Sequence, residues 1–296
     1  MFENIVGNEK NKELLSQIIE NDNVSHSYMF IGQTGIGKFL FAKEFAKAIL
    51  CTSDHAPCNN CKSCIQFENN NNPDIFILDE KDIIKNEQIK ELIKQTLEKP
   101  IESKKKVYII NNSENMTKEA QNSLLKTLEE PPEYITIILI TKNENLLLNT
   151  IKSRCTKIKF NKLQKEELLK ILKDKFNYNA VNNEFLDIFD GSIEKALNIQ
   201  GKESIYEEIS RIFSKELNKD IIDFLKIKDT AFSEKEEINN ILEYLNTIFY
   251  KKSKENLKYI ECIKTIEETK DRLKKNSNYD MTIDRLLFKI WEEING

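Results

Sequence analysis

Long apolar runs are missing from this chain of 296 residues; the longest, "YITIILIT" at 134–141, is too short to span a bilayer, so no membrane partner is expected. The opening "MFENIVGNEKNKELL" has neither the basic nor the apolar region of a secretory leader, and a cytoplasmic location is expected. Basic excess is missing too. Lys and Arg number 45 against 49 Asp and Glu, a net charge of -4, which argues against a protein that grips DNA alone through a basic face. Proline and glycine are scarce and unevenly spread: all five prolines lie at or before Pro132, and beyond it only Gly191, Gly201 and Gly296 interrupt the chain. The second half therefore reads as helices.

What is present is ordinary for a soluble globular protein of two or three domains, with 40% hydrophobic and 32% charged residues. The first half alternates short apolar runs with helical patterns, as a parallel α/β sheet does. Strands are predicted at 28–32, 74–79, 106–110, 135–141 and 156–160, nearly all apolar and suited to burial on both faces. Between them helices are predicted over 8–20 (Leu14, Leu15, Ile18 and Ile19 on one face), 38–50, 86–98 (Ile89, Leu92, Ile93, Leu97) and 117–130. From 163 onward come "LQKEELLKILKDKF", a short "NNEFLDIFD", "SIEKALNIQ" after Gly191, and four or five amphipathic helices over 203–296. Lys104, Lys105 and Lys106 read as charges flanking an aggregation-prone strand, with phosphate contact the lesser reading.

The segment "IGQTGIGKFL" follows the first predicted strand and precedes a helix. Gly32, Gly37 and Lys38 fit G-x-x-x-x-G-K, and with Gly35 place three of the chain's seven glycines in six positions. A phosphate cradle needs them, because backbone N–H groups must face the phosphate oxygens and side chains would block the approach. Lys38 would reach the terminal phosphates of ATP. The next position ordinarily supplies a hydroxyl to Mg²⁺, and here it is Phe39. The strand "KVYII" runs into Asn111 and Asn112, where such sites place a metal-holding acid and a carboxylate that polarises water. An amide can do neither.

Four of the six cysteines lie close together, as C-x6-C-x2-C-x2-C: Cys51, Cys58, Cys61 and Cys64. In a reducing compartment this spacing predicts a closed, structural Zn²⁺ site rather than disulfides. Free thiols, or His55 in place of Cys51, are the alternatives. Cys262 falls in a helical pattern and reads as core.

"NMTKEAQNSLLKTLEEPP" (115–132) and "LLLNTIKSRCTKIKF" (146–160) resemble the clamp-loader branch of the AAA+ ATPases. So do "IVGNEKNKELL", "SHSYMFIGQTGIGK", the cysteine cluster and "GSIEKAL" (191–197). These motifs cover roughly the first two hundred residues in one order, and the helical remainder matches only in kind. The resemblance implies a P-loop α/β (AAA+) domain over 1–161 with a zinc insert at 51–64, a helical lid over 162–200 and an all-α collar over 201–296 that would assemble a ring.

Within that branch, ATP-hydrolysing gamma/tau subunits carry Lys-Thr or Lys-Ser in the loop, acids after the strand, and an Arg in the lid's "GS-x-R". This chain has Phe39, Asn111 with Asn112, and Glu194. It is thus more similar to the accessory subunit type: ATP binding is doubtful and hydrolysis is not expected. Glu114 and Lys195, which lie near these positions in sequence, are unconvincing replacements, because reach and angle at such a site are tight. "SRC" at 153–155 is intact, and the resemblance makes Arg154 a finger that enters a neighbour's ATP site, with Cys155 a packing residue. The implied partners are gamma/tau and delta subunits in a bacterial cytoplasm. Through the assembly, the chain would also meet the sliding clamp and primer-template DNA. The alternatives are an active gamma/tau-type ATPase and, more weakly, a zinc-ribbon nucleic-acid binder.

Overall fold

The computed structural model describes residues 1–178, 186, 189–214, 221–233 and 235–295. It forms two compact units, Met1–Ala196 and Leu197–Gly296.

The first unit is built on five parallel strands: β1 (Ser27–Ile31), β2 (Ile75–Asp79), β3 (Lys106–Asn111), β4 (Ile135–Thr141) and β5 (Thr156–Lys159). Their order is β2-β3-β4-β1-β5. The helices between them are α1 (Glu9–Glu20), α2 (Lys38–Leu50), α3 (Lys62–Glu68), α4 (Asn86–Thr96), α5 (Lys118–Glu129) and the single turn α6 (Asn149–Lys152). Helices α7 (Lys165–Phe176) and α8 (Ile193–Ile199) follow.

Continuous apolar strands are what a sheet covered on both faces requires. Alternate residues of each strand serve opposite faces. Tyr28 and Phe30 of β1, Val107 and Ile109 of β3, and Ile138 and Ile140 of β4 join Phe41 and Phe45 of α2 in one core. Met29, Tyr108, Ile110, Ile137 and Leu139 join Ile89 and Leu92 of α4 and Leu124 and Leu128 of α5 in the other.

The predicted strands and helices lie within a residue or two of the observed ones, and the structure adds α3 and α6. Three side chains depart from expectation. Leu14 is exposed while its neighbour Leu15 is fully buried, because a single stripe of α1 faces the sheet. Leu97 lies beyond the last residue of α4 and is also exposed. Lys106 is buried within β3 rather than standing at its flank; its ammonium lies 3.8 Å from Glu98. The helix expected at "NNEFLDIFD" falls largely outside the described residues.

The second unit is helical among its described residues. It comprises α9 (Glu203–Ser214), α10 (Ile221–Leu225), α11 (Ile227–Ala231), α12 (Ile238–Ser253), α13 (Tyr259–Lys274) and α14 (Tyr279–Asn295). Its core holds Tyr206, Phe213, Phe224, Leu245, Phe249, Cys262, Leu286 and Ile290. Phe213 meets Phe224 and Phe249 edge-on, with ring centres 5.4 and 5.9 Å apart. Burial pushes the Cys262 thiol up to about 12, as befits a packing residue. No helix among the described residues is long and apolar enough to cross a membrane.

Candidate functional site: a phosphate loop, a thiol cluster and an outlying arginine

The loop at 32–38 leaves the carboxyl end of β1, next to the point where strand order reverses, the usual place for a ligand in such a sheet. Gly35 and Gly37 take φ of +77° and +92°, which disfavour any residue with a Cβ. A Cβ on Gly37 would meet nothing within 4 Å, so the cradle is open there. At Gly35 it would overlap Ser192 Oγ, and Ile193 N–H donates to the Gly35 carbonyl at 2.9 Å. Gln33 Nε2 donates to the Asp190 carbonyl at 3.0 Å. The turn entering α8 thus rests on the loop.

Lys38 opens α2, is only 7% exposed, and donates to the Gln33 carbonyl at 2.7 Å. Burial lowers its ammonium to about 8, against the opposing pull of Glu114 and Glu194 and with a further push from Lys142. Glu114 is itself buried. One oxygen lies 3.9 Å from Lys142 Nζ, and the other has no hydrogen-bond partner among the described residues. The sequence reading gave Glu114 little weight, and only the fold brings it beside Lys38. Phe39 is half-buried and packs against the aromatic core.

The two asparagines are engaged elsewhere. Asn111 Nδ2 donates to Asp79 Oδ1 at 2.7 Å, and Asn112 Nδ2 donates to the Glu80 carbonyl at 3.1 Å. Both bonds tie the end of β3 to the end of β2. They require donors, and a carboxylate at 111 would instead repel Asp79.

The four clustered cysteines bring their sulfurs within 4.8 Å of one another, and His55 is not in this group. Cys51 and Cys61 sulfurs are 3.9 Å apart. Tetrahedral zinc with bonds of about 2.3 Å spaces its sulfurs by about 3.8 Å, so the donor set fits such an ion. Backbone N–H groups of Cys58, Cys61 and Cys64 point at the sulfurs of Cys51, Cys58 and Cys61 at 3.4, 3.3 and 3.4 Å. The hydrogen bonds from Asn60 and Cys61 hold the Cys58 thiol below its ordinary value, while burial raises Cys51 and Cys64.

Buried polar bonds fasten this cluster to the sheet. Ser63, beside Cys64, shares a 3.0 Å hydroxyl bond with Ser103, whose Oγ also donates to the Leu50 carbonyl at 2.8 Å. Asn72 donates to Ser63 and accepts from Asp74 N–H. The Asp74 carboxylate takes the backbone N–H groups of Ile101, Glu102 and Ser103 at 2.7, 2.8 and 2.7 Å. No sequence pattern announced this network.

Arg154 belongs to a different corner. Its backbone carbonyl accepts from buried Ser27 at 2.6 Å, and its N–H donates to the Ile151 carbonyl at 3.1 Å. Ser27 begins β1, whereas the phosphate loop leaves the other end. Four steps of about 3.3 Å separate them by about 13 Å. The guanidinium donates from Nη1 to the Thr150 carbonyl at 2.7 Å and pairs through Nη2 with Glu129 Oε1 at 2.7 Å. Cys155 is buried, and burial pushes its thiol up to about 11, which suits packing and not nucleophilic chemistry.

The sequence pattern of the family described as DNA polymerase III, delta subunit, matches residues 7–164, more than half of the chain. The Bacillus subtilis DNA polymerase III subunit delta' is 41% identical over 154 residues, 51% of this chain and 47% of that protein. The chain belongs to this family, on its delta-prime branch. The gamma/tau subunit of Mycoplasma genitalium is also similar, 30% identical over 256 residues, 82% of this chain and 43% of that protein. The chain thus spans under half the length of these two curated relatives. A DNA polymerase III gamma subunit-related protein from Thermotoga maritima shares the fold, with a TM-score of 0.51 and 20% identity over 96% of this chain and 99% of that one.

Proposed function

We propose that this chain is a clamp-loader subunit that does not hydrolyse ATP itself and completes the ATP site of a neighbouring subunit with Arg154. The observation that carries this reading is the placement of Arg154 at the end of β1 away from the phosphate loop. A side chain there cannot reach phosphates held at Lys38, which is compatible with service at another molecule's site. The state of the chain's own loop agrees. Phe39 offers no oxygen to Mg²⁺, the amides of Asn111 and Asn112 are spent on β2, and Glu194 brings negative charge where the hydrolysing relatives carry an arginine. In the neighbour's site the Arg154 guanidinium would stabilise charge on the leaving phosphates, an effect worth about 10³ to 10⁵ in rate in related systems.

The proposed organisation is a P-loop AAA+ domain over 1–161, a lid over 162–200 and a collar over 201–296. Partners would be gamma/tau and delta subunits, with the sliding clamp and primer-template DNA met through the assembly in a bacterial cytoplasm. The four cysteines would hold one Zn²⁺ in a closed, structural site that supplies no open position for chemistry.

A reconstituted loader containing Arg154→Ala tests the reading. ATP hydrolysis equal to that of the unaltered assembly would end the finger role. The second reading, an ATPase of its own, is favoured by the open cradle at Gly37 and the similarity to gamma/tau. Hydrolysis by the purified chain, abolished by Lys38→Ala, would establish it instead.

A further inference from the structure

Arg154 is held rather than free. Its side chain is 32% exposed; Nη1 donates to the Thr150 carbonyl and to Ser153 Oγ, and Nη2 forms an ion pair with Glu129. The Thr150 and Ser153 bonds come from the same short turn and move with the arginine. Glu129 is different, because it ends α5, a separate element, and it brings the one opposing charge paired with Arg154 among the described residues. With a carboxylate 2.7 Å away, the guanidinium cannot deliver its full charge to a second anion.

We infer that Glu129 is a resting counter-ion for Arg154, displaced only when a neighbouring subunit presents a nucleotide with its terminal phosphate in place. This deepens the proposed role of Arg154 and rests on it. The γ-phosphate of ATP carries more negative charge than a carboxylate and can take the guanidinium bidentately, so it wins the exchange. ADP ends one phosphate short and competes poorly. Glu129 thereby makes engagement of the finger depend on the triphosphate. Pairs this exposed contribute little, so the threshold is modest and reversible.

The test is steady-state ATP hydrolysis by the reconstituted loader, with ATP varied and ADP as inhibitor. Four versions of this chain are compared: unaltered, Glu129→Gln, Arg154→Ala and the double variant. Glu129→Gln keeps the shape of the side chain, and its melting temperature is checked against the unaltered chain. Expected is a fall of about two- to fivefold in the apparent KM for ATP, the range an exposed ion pair supplies, with kcat little changed. Inhibition by ADP strengthens. In the Arg154→Ala background, Glu129→Gln changes nothing further, because the group it restrains is gone. A fall in kcat at constant KM would make Glu129 a positioning residue and overturn the inference. So would an unchanged KM, or equal effects with and without Arg154. If Arg154→Ala itself leaves hydrolysis intact, the finger reading fails first, which separates the two failures.

Discussion

The phosphate loop and the Arg154 turn hang from opposite ends of one strand, and they have fared differently. The loop keeps its backbone: two glycines at positive φ, an open N-terminus at Gly37 and a lysine at the head of α2. Around it, the side chains make structural contacts. Phe39 packs, half-buried, against the core, Asn111 and Asn112 knit two strand ends, and Lys38 is buried against its own loop. The arginine turn keeps both backbone and side chain, with Ser27 fixing the former and Thr150 and Glu129 the latter. The same glycines and helix also hold the fold. A loop shape is therefore weak evidence for turnover, and the side chains that face it decide.

Each end of β1 carries its own test. The largest effect expected is at the arginine: Arg154→Ala in the assembly should slow hydrolysis at the adjoining site by about 10³-fold or more, read by steady-state kinetics, while the purified chain melts normally. At the loop, Gly35→Ala should act on stability, not on turnover. Forcing a side chain to φ +77° costs about 1–3 kcal/mol, and overlap with Ser192 adds to it, so denaturant midpoints should fall markedly. A loss of loader activity without loss of stability would mean that the loop still works on nucleotide.

Metal removal tests a third region tied to neither. Chelation should speed amide exchange at Ile101, Glu102 and Ser103 by about tenfold or more, because the Asp74 network is anchored through Ser63 beside Cys64. Unchanged exchange there would confine the metal's influence to 51–64.

The smallest effect is a pH dependence at Lys38. Its folded value lies near 8 and its ordinary one at 10.5, so between them the unfolded chain binds more protons. Stability contributed by this group therefore rises with pH across that window. Lys38→Met should flatten the rise in thermal midpoint relative to the unaltered chain, and an unaltered slope would place Lys38 in solvent.

Much of this was legible in advance where local pattern and burial coincide. Strands buried on both faces leave continuous apolar runs, and all five were found. The C-x2-C spacing brought sulfurs together because the chain between them is too short to do otherwise. Leu14 and Leu97 were misjudged because periodicity ranks residues by type, and Lys106 because a charge was taken for a flank, while exposure depends on which neighbour covers each. The proximity of Glu114 to Lys38 was not legible, because it depends on how β3 and β1 are placed in the sheet.

The sequence by itself determined the sheet, the loop and the residue types that line it, because each is a short-range pattern. Only the tertiary structure decided where those residues spend their bonds. That Asn111 serves Asp79, that Glu129 holds Arg154, and that Ser27 sets this arginine at the far end of β1 from Lys38 are contacts between distant parts of the chain. Parallel strands join such parts only when the whole sheet closes, so no local pattern carries them.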